Sequence, residues 1–397
     1  MKVPVDELRQ RVTILQEALQ RCEIDGALLV QRADTLYYSG TAQNIHLYIP
    51  SVGRPLVMAY RDVGRAQEET AWGVIPLLGI SKIPSFIQGA GLPLPKVLGL
   101  EFDVLPVSQF ERYHKAFSEV RFVDVSPYIR LQRATKSKWE LARLAETAQV
   151  YPQVLDYAQE ILRPGLTEIE FDSHLEQKAR AAGHEGYSRV RGFGSEFHFG
   201  AIFSGTRATV PGCFDGPIVG EGASLAFPQG PSKAVIQEGE SIIVDFVTVV
   251  NGYQTDQTRV MALGYLSQEL LAAHEIVLEV EERLRKAMIP GRIAGDVYEE
   301  IMTWVRENTP YEQNFMGYGQ ARVAFIGHGI GLELDELPTI SRGAKEVLVS
   351  GMVVAIEPKF VFPELGGAVG IEDTVVVEGD EGARFLTLAP RNPIIVR

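Results

Sequence analysis

Cysteine is almost absent from this chain of 397 residues. Cys22 and Cys213 are the only two, too few for a disulfide framework, and that scarcity fits a reducing compartment. Basic charge is in deficit as well: 38 Lys and Arg stand against 51 Asp and Glu, a formal net charge of −13. Binding to a phosphate backbone needs a basic surface, so nucleic acid is excluded as a main partner. Long apolar runs are also missing, since no stretch approaches the roughly 20 residues of a membrane-spanning helix. The opening MKVPVDELRQRV carries charge where a signal peptide needs an apolar segment. These absences lead us to expect a cytoplasmic protein with no membrane partner.

Apolar residues make up 46% of the chain, enough for substantial cores without staples. Leu8, Val12, Leu15 and Leu19 recur at helical spacing, and the run Ala27 to Val30 reads as a buried strand. Short strand candidates follow at Thr35 to Tyr38, Leu47 to Ile49, Pro55 to Ala59 and Val97 to Leu100, alternating with helical patterns. That alternation predicts an α/β first domain. The basic stretch VSPYIRLQRATKSK reads as a connection before one long helix, Trp139 to Leu162. We therefore expect domains at 1–130 and 131–397.

The second domain is organised around SIIVDFVTVVNGYQTDQTRV, residues 241–260. Asn251-Gly252 between two β-branched runs is a strong hairpin signal. A two-residue turn there pairs Val247 with Asp256 and Asp245 with Thr258. Asp245 and Asp256 then share one face, about 5–8 Å apart. Their repulsion, beside Ile243, Val244 and Phe246, is relieved most simply by a cation. A solvated outer face with two ordinary aspartates is the other reading of this spacing.

Helix, Pro164-Gly165, helix is echoed by helix, Pro290-Gly291, helix, and EGESIIVDF is echoed by SGMVVAIEP. In each copy the carboxylate, Asp245 or Glu357, stands six residues after a glycine. The order of the matches predicts a duplicated α/β half around a pseudo-twofold axis. Glu357 and Glu372 form a second acidic pair in strand-like sequence, where an unpartnered charge is costly. His328, between Gly327 and Gly329, adds an imidazole on a glycine loop open to close approach. Four carboxylates and one imidazole are too many for one structural zinc. They suit two divalent ions, with Mn named first and Co, Zn or Fe open.

On VDFVTVVNGYQTDQTR, GHGIGLELDELP, AIEP and IEDTVVV, the chain resembles the creatinase/prolidase/aminopeptidase P group of metallopeptidases over nearly its whole length. The resemblance implies an α/β (α+β) protein: a creatinase-like N-terminal domain followed by a pseudo-twofold "pita-bread" catalytic domain. It implies that Asp245 chelates one metal, that Asp256 and Glu372 bridge both, and that His328 and Glu357 complete the other site. Glu357 would carry the proton of the attacking water, with His328 beside it as the second catalytic candidate. The implied activity is hydrolysis of short Xaa-Pro peptides by a homodimer.

Three positions depart from the family pattern. Asp335 stands where a histidine usually opens the HExP string, Gly212 follows Pro211 where a second histidine is usual, and Gly370 precedes Ile-Glu-Asp in place of an arginine. These positions, with His198 as a possible replacement histidine, are the candidate substrate pocket. An altered pocket leaves two other readings: a non-peptide hydrolase or lyase acting on some other small molecule, and a weakly catalytic binding protein that retains metal.

Overall fold

A computed structural model describes residues 2–194 and 196–397. The chain divides into two compact units, one ending at Arg133 and the other beginning at Ala134.

In the first unit the helix Val5–Arg21 buries Leu8, Val12, Leu15 and Leu19, as its periodicity predicts. Six strands form one mixed sheet in the order Val74–Pro76, Leu56–Ala59, Ile45–Pro50, Gly26–Leu29, Val97–Leu100, Arg121–Asp124. One face buries Leu28, Tyr48, Met58 and Leu98 against Ile83, Ile87 and Tyr113. Two expectations fail here. Thr35 to Tyr38 lies in a helix, Arg32–Ser39, because signals at its ends outweigh four β-prone residues: the Gln31 side chain caps the Asp34 N–H, and Gly40 closes the helix at φ 81°. The connection near residue 130 is also largely helical, Ser126–Ala134.

In the second unit the predicted single helix is two, Lys138–Thr147 and Val150–Ile161. Pro152 has no N–H to offer the carbonyl one turn earlier, so the chain tightens at Ala148-Gln149 and restarts. The capping box of Thr167 and Glu170 starts the helix Glu168–Ala181.

The duplication extends into backbone detail. Gly165 and Gly291 both adopt φ 90°, a conformation suited to glycine, between their helix pairs. Two residues later, Thr167 bridges to Val235 and Ile293 bridges to Val347, each partner ten residues upstream of Asp245 or Glu357. The hairpin Ser241–Val250 and Tyr253–Leu263 pairs Val247 with Asp256 and Asp245 with Thr258, the register its sequence predicts, and Asn251 and Gly252 turn at φ 54° and 79°.

The second copy pairs Ile356 with Asp373 and Lys359 with Gly370 in one continuous register. Pro358 interrupts its ladder, so Glu357 and Glu372 face each other at the interruption. Thr258 and Glu372 are thus equivalent positions. They join the halves by reciprocal N–H to carbonyl bonds of 3.2 Å each, as expected beside a twofold axis.

Candidate metal centre

Five side chains converge on the cleft beside that axis: Asp245, Asp256, His328, Glu357 and Glu372. Strand alternation aims the first two. The Thr374 hydroxyl accepts from the Asp256 N–H and donates to its carbonyl, at 3.0 and 3.1 Å, while the Thr258 hydroxyl donates to Glu372 Oε2 at 3.0 Å. Asp256 and Glu372 are therefore fixed from opposite halves.

His328 lies in the strand Phe325–Gly329, not in an open glycine loop. Its glycines serve close packing of backbones: a Cβ at Gly327 would lie 2.7 Å from the Ala355 carbonyl oxygen, and one at Gly329 2.3 Å from that of Leu337. The His328 Nδ1 faces the Leu334 carbonyl at 2.9 Å. A carbonyl only accepts, so Nδ1 carries the hydrogen and Nε2 points toward the carboxylates, 3.6 Å from Glu372 Oε1 and 3.9 Å from Glu357 Oε1.

Lys359 also enters the cluster. Its Nζ donates to Glu372 Oε2 at 2.7 Å, to Glu357 Oε2 at 2.8 Å and to Asp245 Oδ2 at 3.4 Å. The cross-strand partner, Gly370, leaves room for this side chain, since a Cβ there would lie 2.4 Å from Lys359 Cγ.

Electrostatics separates the carboxyl groups. Burial, with Glu372 and Asp245 nearby, pushes Asp256 well above the carboxylate range. Burial raises Glu357 to about 7 against the attraction of Lys359. For Glu372 burial acts upward too, but Lys359 and His328 overcome it and hold the group at about 2. Burial opposes charge on His328, and the surrounding acids Glu372, Asp335 and Glu357 raise it nonetheless.

The donors fit a divalent ion on one side of the cluster. Asp256, His328 and Glu372 offer ligand atoms within 4.8 Å of one another. Asp256 Oδ1 and Glu372 Oε1 are buried there without a hydrogen-bond partner. Buried acceptors left without donors are open to a cation. On the other side, between Asp245, Glu357 and Glu372, the charge present is the Lys359 ammonium.

Next to this cluster, the fully buried Arg259 donates to the Thr258 and Glu372 carbonyls at 2.8 Å, and to both Asp373 oxygens at 2.9 and 3.0 Å. It also reaches the Pro390 and Ala389 carbonyls. Sequence reasoning singled out neither Arg259 nor Lys359. Lys359 had a readable signal, because a residue two past Glu357 on a strand shares its face.

The cleft holds about 760 Å³ of atom-free space, part of it open to solvent. Phe197, Phe199, Phe214, Ile218 and Val219 add apolar lining to the same cleft. Of the candidate pocket residues, His198 and the half-exposed Asp335 line it, and Asp335 Oδ1 is 4.0 Å from His328 Nδ1. Gly212 lines a neighbouring cavity, and Gly370 lies buried against Lys359. His198 turns toward the helix Glu168–Ala181, with Nε2 3.1 Å from Glu176 Oε1 and Nδ1 bonded to the Gly200 carbonyl at 2.7 Å.

Residues 142–379 match metallopeptidase family M24, and residues 11–135 match the creatinase/prolidase N-terminal domain. An Xaa-Pro dipeptidase of Pyrococcus furiosus is 26% identical over 387 residues, 97% of this chain and 99% of that protein. Two solved structures share 25% identity with the chain. An Xaa-Pro dipeptidase from Bacillus anthracis has a TM-score of 0.82, covering 98% of this chain and 99% of that one. An X-Pro aminopeptidase from Thermotoga maritima has a TM-score of 0.80, covering 97% and 99%. With a creatinase-type first domain, a duplicated second domain and a carboxylate-rich centre on its axis, the chain belongs to metallopeptidase family M24.

Proposed function

We propose that this protein hydrolyses short Xaa-Pro peptides, with Asp245, Asp256, His328, Glu357 and Glu372 as its metal-binding set. The observation that carries the reading is the convergence of Asp256, His328 and Glu372, two of them with unpartnered buried oxygens, in a cleft with much apolar lining. Relatives named for Xaa-Pro cleavage along their whole length support the substrate class. A divalent ion in this set supplies Lewis-acid polarisation of a carbonyl and a nucleophilic hydroxide at neutral pH. Glu357, a carboxyl within this cluster, would take a proton from water and pass it to the departing amine. The phenylalanine-rich wall takes an apolar substrate side chain and sheds water from the cleft. His328 keeps one tautomer through Leu334, so its Nε2 needs no rearrangement to act.

Oxygen-rich ligation makes manganese the first ion to try. Purified protein given Mn or Co should release free proline from Xaa-Pro dipeptides; no turnover above a Glu357→Ala control across a broad panel would reject the reading. We also propose a cytoplasmic homodimer, which cell fractionation and sedimentation at micromolar concentration test; a membrane-bound or purely monomeric protein would contradict it.

The acidic Asp335 on the cleft favours a second reading, a hydrolase or lyase acting on a small non-peptide substrate. Mass spectrometry of a metabolite extract incubated with the protein decides this. Turnover confined to peptides would dismiss it.

A further inference from the structure

We infer that the Lys359 ammonium stands in for one of the two cations expected of this centre, so that the chain binds a single divalent ion on Asp256, His328 and Glu372. This rests on the metallopeptidase reading above and narrows the two ions expected from the sequence to one ion and one fixed positive charge.

An ion held between Asp245, Glu357 and Glu372 needs the space that Lys359 Nζ fills, and that nitrogen lies 2.7 to 3.4 Å from an oxygen of each. An ammonium has three hydrogens, and here three carboxylates take them. Lys359 is 3% exposed and gains nothing by leaving, since a buried ammonium without acceptors is costly.

The second observation is the accommodation around it. Gly370 pairs directly with Lys359 across the hairpin, and a Cβ at Gly370 would strike the lysine stem at 2.4 Å. In the duplicated register Lys359 corresponds to Val247 and Gly370 to Asp256, so the two halves diverge at one cross-strand pair. One half places a carboxylate there; the other places a cation and clears the opposite position for it.

The third observation is what remains unsatisfied. Lys359 takes Glu372 Oε2 and leaves Oε1 of the same group without a partner, as Asp256 Oδ1 is. These oxygens belong to the residues that, with His328, can hold an ion. Acceptors satisfied on one side and orphaned on the other describe one seat filled by protein and one left for metal.

The test is stoichiometry. Full-length protein is saturated separately with Mn²⁺, Co²⁺ and Zn²⁺, passed through a desalting column, and its metal measured by plasma mass spectrometry. Wild type should carry one ion per chain and Lys359→Gly two. Thermal melting confirms that the variant is folded, and if it is not, the wild-type ratio alone decides. Two ions in wild type, or one in a folded Lys359→Gly, overturns the inference and leaves the peptidase reading standing. No bound ion under any condition overturns both.

Discussion

Replacing Arg259 with methionine should be among the most damaging single changes in the second unit. Arg259 is fully buried and donates to Asp373 and to four main-chain carbonyls, two of them at the junction of the duplicated halves. Methionine fills much of the volume but leaves those carbonyls and the Asp373 carboxylate without their principal donor. Thr387 and Arg391 still contact Asp373, at 2.6 and 3.1 Å, so its charge is not wholly abandoned. Removing one partner of a buried pair costs about 3–5 kcal/mol. In units of about 150–250 residues that corresponds to a fall in Tm of roughly 6–20 °C. Calorimetry of Arg259→Met, Asp373→Asn and the double variant completes the cycle. The double variant should be less destabilised than the two singles added together, because the second change removes the stranded charge. Strict additivity, or a fall of under about 2 °C for Arg259→Met, would refute the reasoning.

Other consequences follow from the same structure. Glu357→Gln should keep the ion held by Asp256, His328 and Glu372 while kcat falls by about 10²–10⁴, since the amide cannot accept the proton; steady-state kinetics beside metal analysis checks this. Gly370→Ala should destabilise by about 1–3 kcal/mol through its clash with Lys359, visible as a lowered Tm. Burial and the nearby Glu176 hold the Asp172 carboxyl well above its ordinary value. Its neutral form therefore favours the fold below the unfolded-state pKa of about 3.9, and that contribution is lost as pH rises through the higher folded value. Asp172→Asn should then raise Tm over wild type more at pH 8 than at pH 4, and a larger gain at pH 4 would contradict the assignment.

What could be read from sequence was what local chemistry specifies. Asn251-Gly252 and the alternation around it determine a register, and with it the shared face of Asp245 and Asp256, without reference to distant residues. The repeated Pro-Gly turns and the spacing from glycine to acid exposed the duplication for the same reason. Pro152 was a legible helix break hidden inside a continuous amphipathic pattern, and the four residues Thr35 to Tyr38 were too short a window against the caps at Gln31 and Gly40. Lys359 needed more, since its role depends on a carboxylate from the other half, Asp245, 114 positions away. Apart from the adjacent Thr258 carbonyl, Arg259 likewise finds its partners 113 to 131 positions along the chain, where no periodicity reaches. The surroundings of Gly212 and Gly370 were not legible either: Gly370 lies across the ladder from Lys359, and Gly212 lines a cavity that shares Phe214 and Val219 with the cleft.

The central claim is that acids from both halves and one imidazole hold a divalent ion at the foot of the cleft. Diffraction from Mn-soaked crystals, with data above and below the metal edge, tests it directly. The account predicts an anomalous peak within coordinating distance of Asp256 Oδ1, Glu372 Oε1 and His328 Nε2. A map featureless at those three atoms, with metal only elsewhere or nowhere, would contradict it.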